Sequence, residues 1–104
     1  MAYRGENIDI VIKGSDIVNL DNNDFVVLLY PDRHPERKFE VHKSEMVKLN
    51  SNHYSGGVEY TESKALPLGS YTIELLIKEG TTRRSVFVKP SAFPLYDSAS
   101  KNIE

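Results

Sequence analysis

GSYTIELLIKEG, residues 69–80, is the stretch that decides the fold. Its large apolar residues fall at every second position, and mostly polar residues lie between them. The apolar set is Tyr71, Ile73, Leu75 and Ile77, and the opposite set includes Thr72, Glu74 and Lys78. Because successive side chains of a strand point to opposite faces, this period of two predicts a strand with one face in a core. Pro67-Leu68-Gly69 predicts a turn before it, and Glu79-Gly80-Thr81 a hairpin loop after it.

Short strand patterns continue on both sides of this stretch. The strongest is Phe25 to Tyr30, six apolar residues stopped by Pro31, which predicts a central strand. The other predicted strands are Ile8 to Ile12, Phe39 to Val41, Met46 to Leu49, Tyr54 to Tyr60 with a bulge or a bend at Gly56-Gly57, and Val86 to Val88 ended by Pro90. No helical period lasts three turns; the best helix candidate is one turn near Ser44 to Lys48.

This spacing predicts an all-β fold, an immunoglobulin-like antiparallel β-sandwich of about seven strands. The Cys and Trp signature of immunoglobulin domains is absent, so only the architecture is predicted. Tyr71, two residues after Gly69, is expected to act as a tyrosine corner, in which a phenol anchors a turn.

Three segments are expected along the chain: an N-terminal arm at 1–6, the sandwich domain at 7–90 and an extended C-terminal tail at 91–104. In the tail, Phe93, Leu95 and Tyr96 are apolar, and Pro94 is expected to keep them out of regular structure. Such side chains gain by burial, either on their own sandwich or on another subunit. The neighbour is favoured because inward strand residues already fill a sandwich core, so these three residues are the predicted interface.

Composition excludes several functional classes. The net charge of −2 argues against nucleic acid as a partner, although Lys78 to Arg84 is locally basic. The chain has no cysteine, which excludes disulfides and thiolate chemistry. The N-terminus has no signal-peptide pattern, and no apolar run approaches the ~20 residues that span a bilayer. We therefore expect a whole protein, made in the cytoplasm and not bound to membranes.

Catalytic and metal-binding patterns are weak. His34, His42 and His53 lack metal-ligand spacing. Asp16 and the run Asp21 to Asp24 could supply calcium ligands, but the EF-hand order fails and turn formation is the simpler interpretation. The pairs Glu59 with Glu62 and Glu74 with Glu79 are weak candidates for paired acids, and no serine-nucleophile motif is present. The prediction is a non-enzymatic protein without catalytic, metal or cofactor-binding residues.

One stretch resembles a known family. ALPLGSYTIELLI, residues 65–77, resembles the "L-x-x-G-x-Y" strand entry of phage baseplate upper-protein N-terminal domains, and the strand frame over residues 8–89 is similar. Those domains are small β-sandwiches that join a virion core to fibres or receptor-binding parts. The resemblance implies a bacteriophage structural protein located in the virion: a capsid decoration, a neck, tail or baseplate adaptor, or a fibre connector. Its partners would be other virion structural proteins, with a homo-oligomer as a further option.

An alternative hypothesis is a bacterial carbohydrate- or ligand-binding module of the same architecture. That function would need exposed aromatic side chains on one sheet face, and the set Tyr30, Tyr54 and Tyr60 is the candidate.

Overall fold

The computed structural model describes residues 2–15 and 17–97. In these residues the backbone forms eight strands, one 3-10 turn and one four-residue helix. They are β1 (Ala2–Tyr3), β2 (Ile8–Lys13), β3 (Asp24–Pro31), β4 (Phe39–His42), the 3-10 turn (Lys43–Glu45), β5 (Val47–Asn50), β6 (His53–Val58), α1 (Tyr60–Ser63), β7 (Gly69–Glu79) and β8 (Thr82–Tyr96).

The strands form two sheets that pack face to face. The large sheet has the order β1-β8-β7-β3-β4, and the small sheet has the order β2-β6-β5. All pairs are antiparallel except β1 with β8, which is parallel. This arrangement confirms the predicted all-β sandwich, with seven strands of four residues or more. The two sheets differ by two strands, so the small sheet covers only part of the large one.

Strand β3 is an interior strand of the large sheet, as its continuous apolar run predicts. It pairs with β4 on one side and β7 on the other. Phe25, Val27 and Leu29 face the small sheet and belong to the main core. Val26 and Leu28 alternate with them, lie outside that core cluster and are also buried. Burial on both faces explains why this strand lacks polar alternation.

Two glycines in β6 allow neighbouring residues of the small sheet to pack closely. β6 runs without interruption through Gly56 and Gly57, where a bulge or a bend was expected. Gly57 pairs with Asp9, and a Cβ there would collide with the carbonyl oxygen of Ile8, so only glycine allows β2 to approach this closely. The strand ends at Val58, and Tyr60, which was expected in the strand, begins α1.

The predicted tyrosine corner is present. The Tyr71 hydroxyl donates a 2.6 Å hydrogen bond to the carbonyl oxygen of Pro67, four residues upstream. Its ring is buried and stacks on Phe93 at 5.4 Å between centroids. Burial raises the pKa of the Tyr71 phenol to about 12. The phenol therefore fixes the turn that starts β7.

The predicted end of the last strand is wrong, because β8 continues past Pro90 to Tyr96. Pro90-Ser91-Ala92 forms a bulge between the pairs Ile73 with Lys89 and Tyr71 with Phe93. A bulge leaves residues outside the hydrogen-bond ladder, so the missing proline N–H costs little there. Ser91 has φ of 51° and donates a 2.6 Å hydrogen bond to Asp32, which holds the bulge in place.

For the described residues, the structure corrects both the expected C-terminal tail and the expected N-terminal arm. Leu95 is 2% exposed in the core of its own domain, and Phe93 packs against that core, so neither needs a neighbouring subunit for burial. Tyr96 is partly exposed and lies beside Tyr3, with ring centroids 5.9 Å apart. In the expected N-terminal arm, Ala2–Tyr3 pairs with the end of β8. Residues 98–104 of the predicted tail lie outside the described residues.

Strand β7 provides the first stability prediction. Leu75 is 5% exposed, so we expect Leu75→Ala to lose about 2–5 kcal/mol of unfolding free energy. Ile73 is only half-buried, so its alanine variant should lose less than Leu75→Ala. Urea denaturation measures both values. A loss of only a few tenths for Leu75→Ala would mean that the inward and outward faces of β7 are reversed.

Candidate functional site

The acidic loop before β3 is a structural corner. The Lys43 ammonium donates hydrogen bonds to the carbonyl oxygens of Leu20 at 2.8 Å, Asp21 at 3.0 Å and Asn23 at 2.8 Å. It also lies 5.5 Å from the ring centroid of Tyr54. Backbone carbonyl oxygens of the loop considered for calcium therefore bind an ammonium group. Asp16, the other candidate ligand, lies outside the described residues.

The Asp21 carboxylate ties this loop to the small sheet. It accepts hydrogen bonds from the Tyr54 hydroxyl at 2.9 Å, the Asn52 backbone N–H at 3.0 Å and the Ser51 hydroxyl at 3.3 Å, and Lys48 Nζ lies 3.2 Å away. Burial acts to raise the pKa of Asp21, but the bonds from Tyr54, Lys48 and Asn52 together lower it below 3.8. The charged form of Asp21 is therefore favoured by the folded state.

Asp21 gives the protein an acid-sensitive contact. Because its pKa is lower in the folded state, its contribution to stability is present above pH about 4 and is lost as pH falls through the folded pKa. Asp21→Asn should lower the urea midpoint at pH 7 and flatten its decline below pH 4. Asp9→Asn, at an exposed position on β2, is the matched control and should change neither. An unchanged acid decline in Asp21→Asn would contradict this role.

Two of the three histidines, His34 and His42, contact separate partners. His34 Nδ1 lies 3.4 Å from a Glu36 oxygen. His42 Nε2 lies 3.0 Å from Glu40, and its Nδ1 lies 2.7 Å from Lys78 Nζ. No group of three or more potential metal ligands occurs in residues 2–15 and 17–97.

A concavity of about 540 Å³ lies beside the β8 bulge, and its lining includes Asp32, His34 and Ser91. These residues do not form a nucleophilic relay. Ser91 and Thr72 hydroxyls each donate a 2.6 Å hydrogen bond to Asp32, and these bonds lower the pKa of Asp32. The imidazole of His34 contacts Glu36 instead. The carboxylate therefore fixes the bulge and orients no general base.

Two of the three tyrosines considered for sugar binding, Tyr30 and Tyr54, do not form a common platform. Tyr54 lies in the core, edge-on to Phe25 at 5.4 Å between centroids. Tyr30 lies on the opposite face of the large sheet, and its hydroxyl donates a 3.1 Å hydrogen bond to Glu74. The side chain of Tyr60 is not among those that the structure describes. Tyr54 is buried, so Tyr30 and Tyr54 do not share an exposed sheet face.

The main apolar opening lies between the end of β2 and the first half of β8. We call it the β2–β8 groove; it has a volume of about 460 Å³. It is lined by Ile12, Lys13, Ser15, Ile17, Val18, Leu75, Val86 and Phe87. Leu75 is a core residue, so the sandwich interior reaches the surface here. On the groove walls, Ile17 is 94% exposed and Phe87 is 51% exposed.

The groove exists because two sheet edges meet without a covering strand. β2 is an edge of the small sheet. β1 pairs with β8 only at Leu95 and Tyr96, so the first half of β8 is an edge of the large sheet among the described strands. Edge strands present unpaired N–H and C=O groups. The groove thus combines exposed apolar side chains with free backbone hydrogen-bonding groups.

A bulge at Val86 decides which side chains enter the groove. Leu76 pairs with Ser85 and Leu75 with Phe87, so Val86 is the extra residue. Direct cross-strand partners share a face, which puts Phe87 on the core side. In a regular strand, Phe87 would lie on the face opposite Val86 and Val88. The bulge has no sequence signal of its own, so Phe87 and Ile17 were not predicted as site residues. Both are large apolar residues next to turns or edges, and this position is the signal that could have found them.

Comparisons with protein-family models, curated proteins and solved structures find no match for this chain. No helix within the described ranges is long and apolar enough to cross a membrane. The fold and the site thus define a small all-β sandwich with an open apolar groove along one side.

Proposed function

We propose that this chain is a non-enzymatic structural protein of a bacteriophage virion that acts by packing against other proteins. The observation that carries the proposal is the β2–β8 groove, with its two exposed walls at Ile17 and Phe87. Burying a side chain of that size releases about 1.5–3 kcal/mol. Exposed apolar surface of this kind is typical of protein interaction sites.

The proposed location in a virion is supported by the order of the strands and by the turn that starts β7. The Gly69-Ser70-Tyr71 entry that resembles phage baseplate upper-protein domains opens β7, and the Tyr71 hydroxyl anchors that entry. A compact sandwich with one open side suits a connector or decoration protein, which must fold alone and then dock on a larger body.

Particle composition tests this proposal. Virions of the phage that encodes the chain would be purified by density gradient, and their proteins quantified by mass spectrometry. The chain should be present at a fixed copy number per particle, and antibodies should label one defined part of the particle. Absence from purified particles, with the chain recovered only in the free soluble fraction, would overturn the proposal.

A pair of variants links the groove to assembly. Phe87→Glu should keep the thermal melting transition and lose incorporation into particles, because a charge would replace an apolar wall. Val47→Glu is the matched control, since Val47 is also an exposed apolar residue but lies on β5, the other edge of the small sheet. Equal incorporation of both variants would separate the groove from assembly.

A further inference from the structure

An apolar stripe on the outer face of the large sheet is buried, although the small sheet packs on the opposite face. We call Val26 and Leu28 of β3 the outer stripe. Both residues lie outside the main core cluster, yet Val26 is 0% exposed and Leu28 is 4% exposed. Long charged side chains can cover apolar surface with their aliphatic stems while their charged ends stay in water. Side chains of the flanking strands supply such a cover here.

Two side-chain bridges cross over the outer stripe. The Arg83 guanidinium of β8 donates hydrogen bonds to the Glu40 carboxylate of β4, with Nη1–Oε2 at 2.9 Å and Nη2–Oε1 at 3.3 Å. The Lys78 ammonium of β7 lies 2.7 Å from Nδ1 of His42 on β4. Because the strand order is β8-β7-β3-β4, both bridges pass over β3. The two β4 residues pair directly with the outer stripe and therefore share its face.

The Lys78–His42 bridge requires a neutral imidazole. An ammonium group can only donate, so Nδ1 of His42 accepts the hydrogen bond from Lys78. Nε2 then carries the ring proton and lies 3.0 Å from an oxygen of Glu40, which accepts it. A proton on Nδ1 would remove the acceptor and would place two positive charges where the hydrogen bond now lies. The bridge therefore cannot persist once His42 is protonated.

Carboxylates beside both groups would stabilise them after the bridge opens. Protonated His42 would keep Glu40 at 3.0 Å, and its backbone N–H donates a 3.0 Å hydrogen bond to Glu45 of the 3-10 turn. Lys78 Nζ already lies 3.7 Å from Asp24 of β3, and this carboxylate is exposed. The released ammonium can therefore turn toward Asp24 and away from the imidazole.

The Arg83–Glu40 bridge should stay closed in mild acid. The hydrogen bond from Arg83 is the main cause that holds the pKa of Glu40 below its ordinary value, and the guanidinium itself stays charged. The nearby Lys43 ammonium is directed to carbonyl oxygens of the loop before β3. Only the Lys78–His42 bridge therefore responds in the range in which imidazoles titrate.

We infer that His42 is an acid-sensitive latch: protonation of its imidazole releases Lys78 and exposes the Val26 end of the outer stripe, while the Arg83–Glu40 bridge stays closed. Val26 is the end that opens because it is the direct partner of His42. Protonation of histidine is a common trigger of surface changes in mild acid. The latch lies away from the β2–β8 groove and does not depend on the proposed function.

Methyl NMR of the full chain with a soluble nitroxide tests the latch. The chain would carry ¹³C in its valine and leucine methyl groups and would be titrated from about pH 8 to about pH 5.5, the range in which imidazoles titrate. Relaxation of the Val26 methyls by the nitroxide should rise severalfold, with the same midpoint as the His42 ring protons. Val27, on the opposite face of β3, should not change, and Leu28 should change less than Val26.

Variants assign the effect to His42. His42→Gln still has one donor and one acceptor but cannot take up a proton in this range, so Val26 should lose its pH dependence. His34→Gln, at an exposed histidine in the loop after β3, is the matched control and should keep that dependence. Lys78→Met removes the released ammonium and should also abolish the pH dependence, which provides a second test if His42→Gln does not fold.

Four results would overturn the latch. The first is titration of His42 without a change at Val26, and the second is a His42 ring that takes up no proton above about pH 5.5. The third is a rise at Val27 equal to that at Val26, which would indicate opening of the whole domain. The fourth is a pH response of Val26 that persists in His42→Gln or in Lys78→Met. None of these results bears on the particle test.

Discussion

A chain truncated after Pro90 is expected to be unfolded. The truncation removes Leu95 from the core, the Phe93 ring that stacks on Tyr71, and the Ser91 hydroxyl bound to Asp32. Loss of a buried leucine costs about 2–5 kcal/mol and loss of a phenylalanine up to about 5. Their sum approaches the 5–15 kcal/mol of total stability typical of a domain. Circular dichroism and urea denaturation of the truncated chain measure the effect.

The control is a chain truncated after Asp97, which keeps every residue that the structure describes. Its urea midpoint should equal that of the full chain. If the chain ending at Pro90 were folded with an unchanged midpoint, residues 91–97 would not belong to the domain core, and the earlier expectation of an intersubunit arm would return.

Phe25→Ala should cause the largest loss for a single side chain, about 3–5 kcal/mol. Phe25 is fully buried, contacts Tyr54 edge-on and lies 5.7 Å from the Lys43 ammonium. Its removal would leave a cavity under the corner where Lys43 and Asp21 tie the loop to both sheets. The change in unfolding free energy from urea denaturation is the measurement.

Phe87→Ala is the matched control for this residue type. Phe87 is half exposed on the groove wall, so its truncation should change stability by only about 0.5 kcal/mol. The two variants together separate packing from docking: the first should lose stability, and the second should lose partner binding. Comparable losses of stability would mean that the groove is closed in solution by the chain itself.

The strands at the centre of the fold could be predicted from the sequence. The alternation of Tyr71, Leu75 and Ile77 identified the inward face of β7, and the run Phe25 to Tyr30 identified a central strand, which the structure buries on both faces. These features are local, because side-chain direction in a strand depends only on position along it. The tyrosine corner was predictable for the same reason, since Tyr71 and Pro67 are four residues apart.

The end of β8 could not be predicted by the same reasoning. Pro90 is a strand breaker in a regular ladder, but here Asp32, which is 59 residues away from Ser91, stabilises a bulge that accommodates it. The apolar character of Phe93 and Leu95 correctly indicated burial. It did not indicate which surface buries them, because hydrophobicity is a property of the side chain and carries no information about the partner.

The β2–β8 groove depends even more than the end of β8 on contacts between residues far apart in the chain. The sequence determined that this protein is a sandwich of short strands, because a period of two and turn residues act within a few positions. Only the tertiary structure decided that Lys43 fills the acidic loop, that a bulge turns Phe87 toward the core side, and that the small sheet ends at β2. Strand order and register are set by contacts between residues far apart in the chain, and a one-residue bulge exchanges the two faces of a strand.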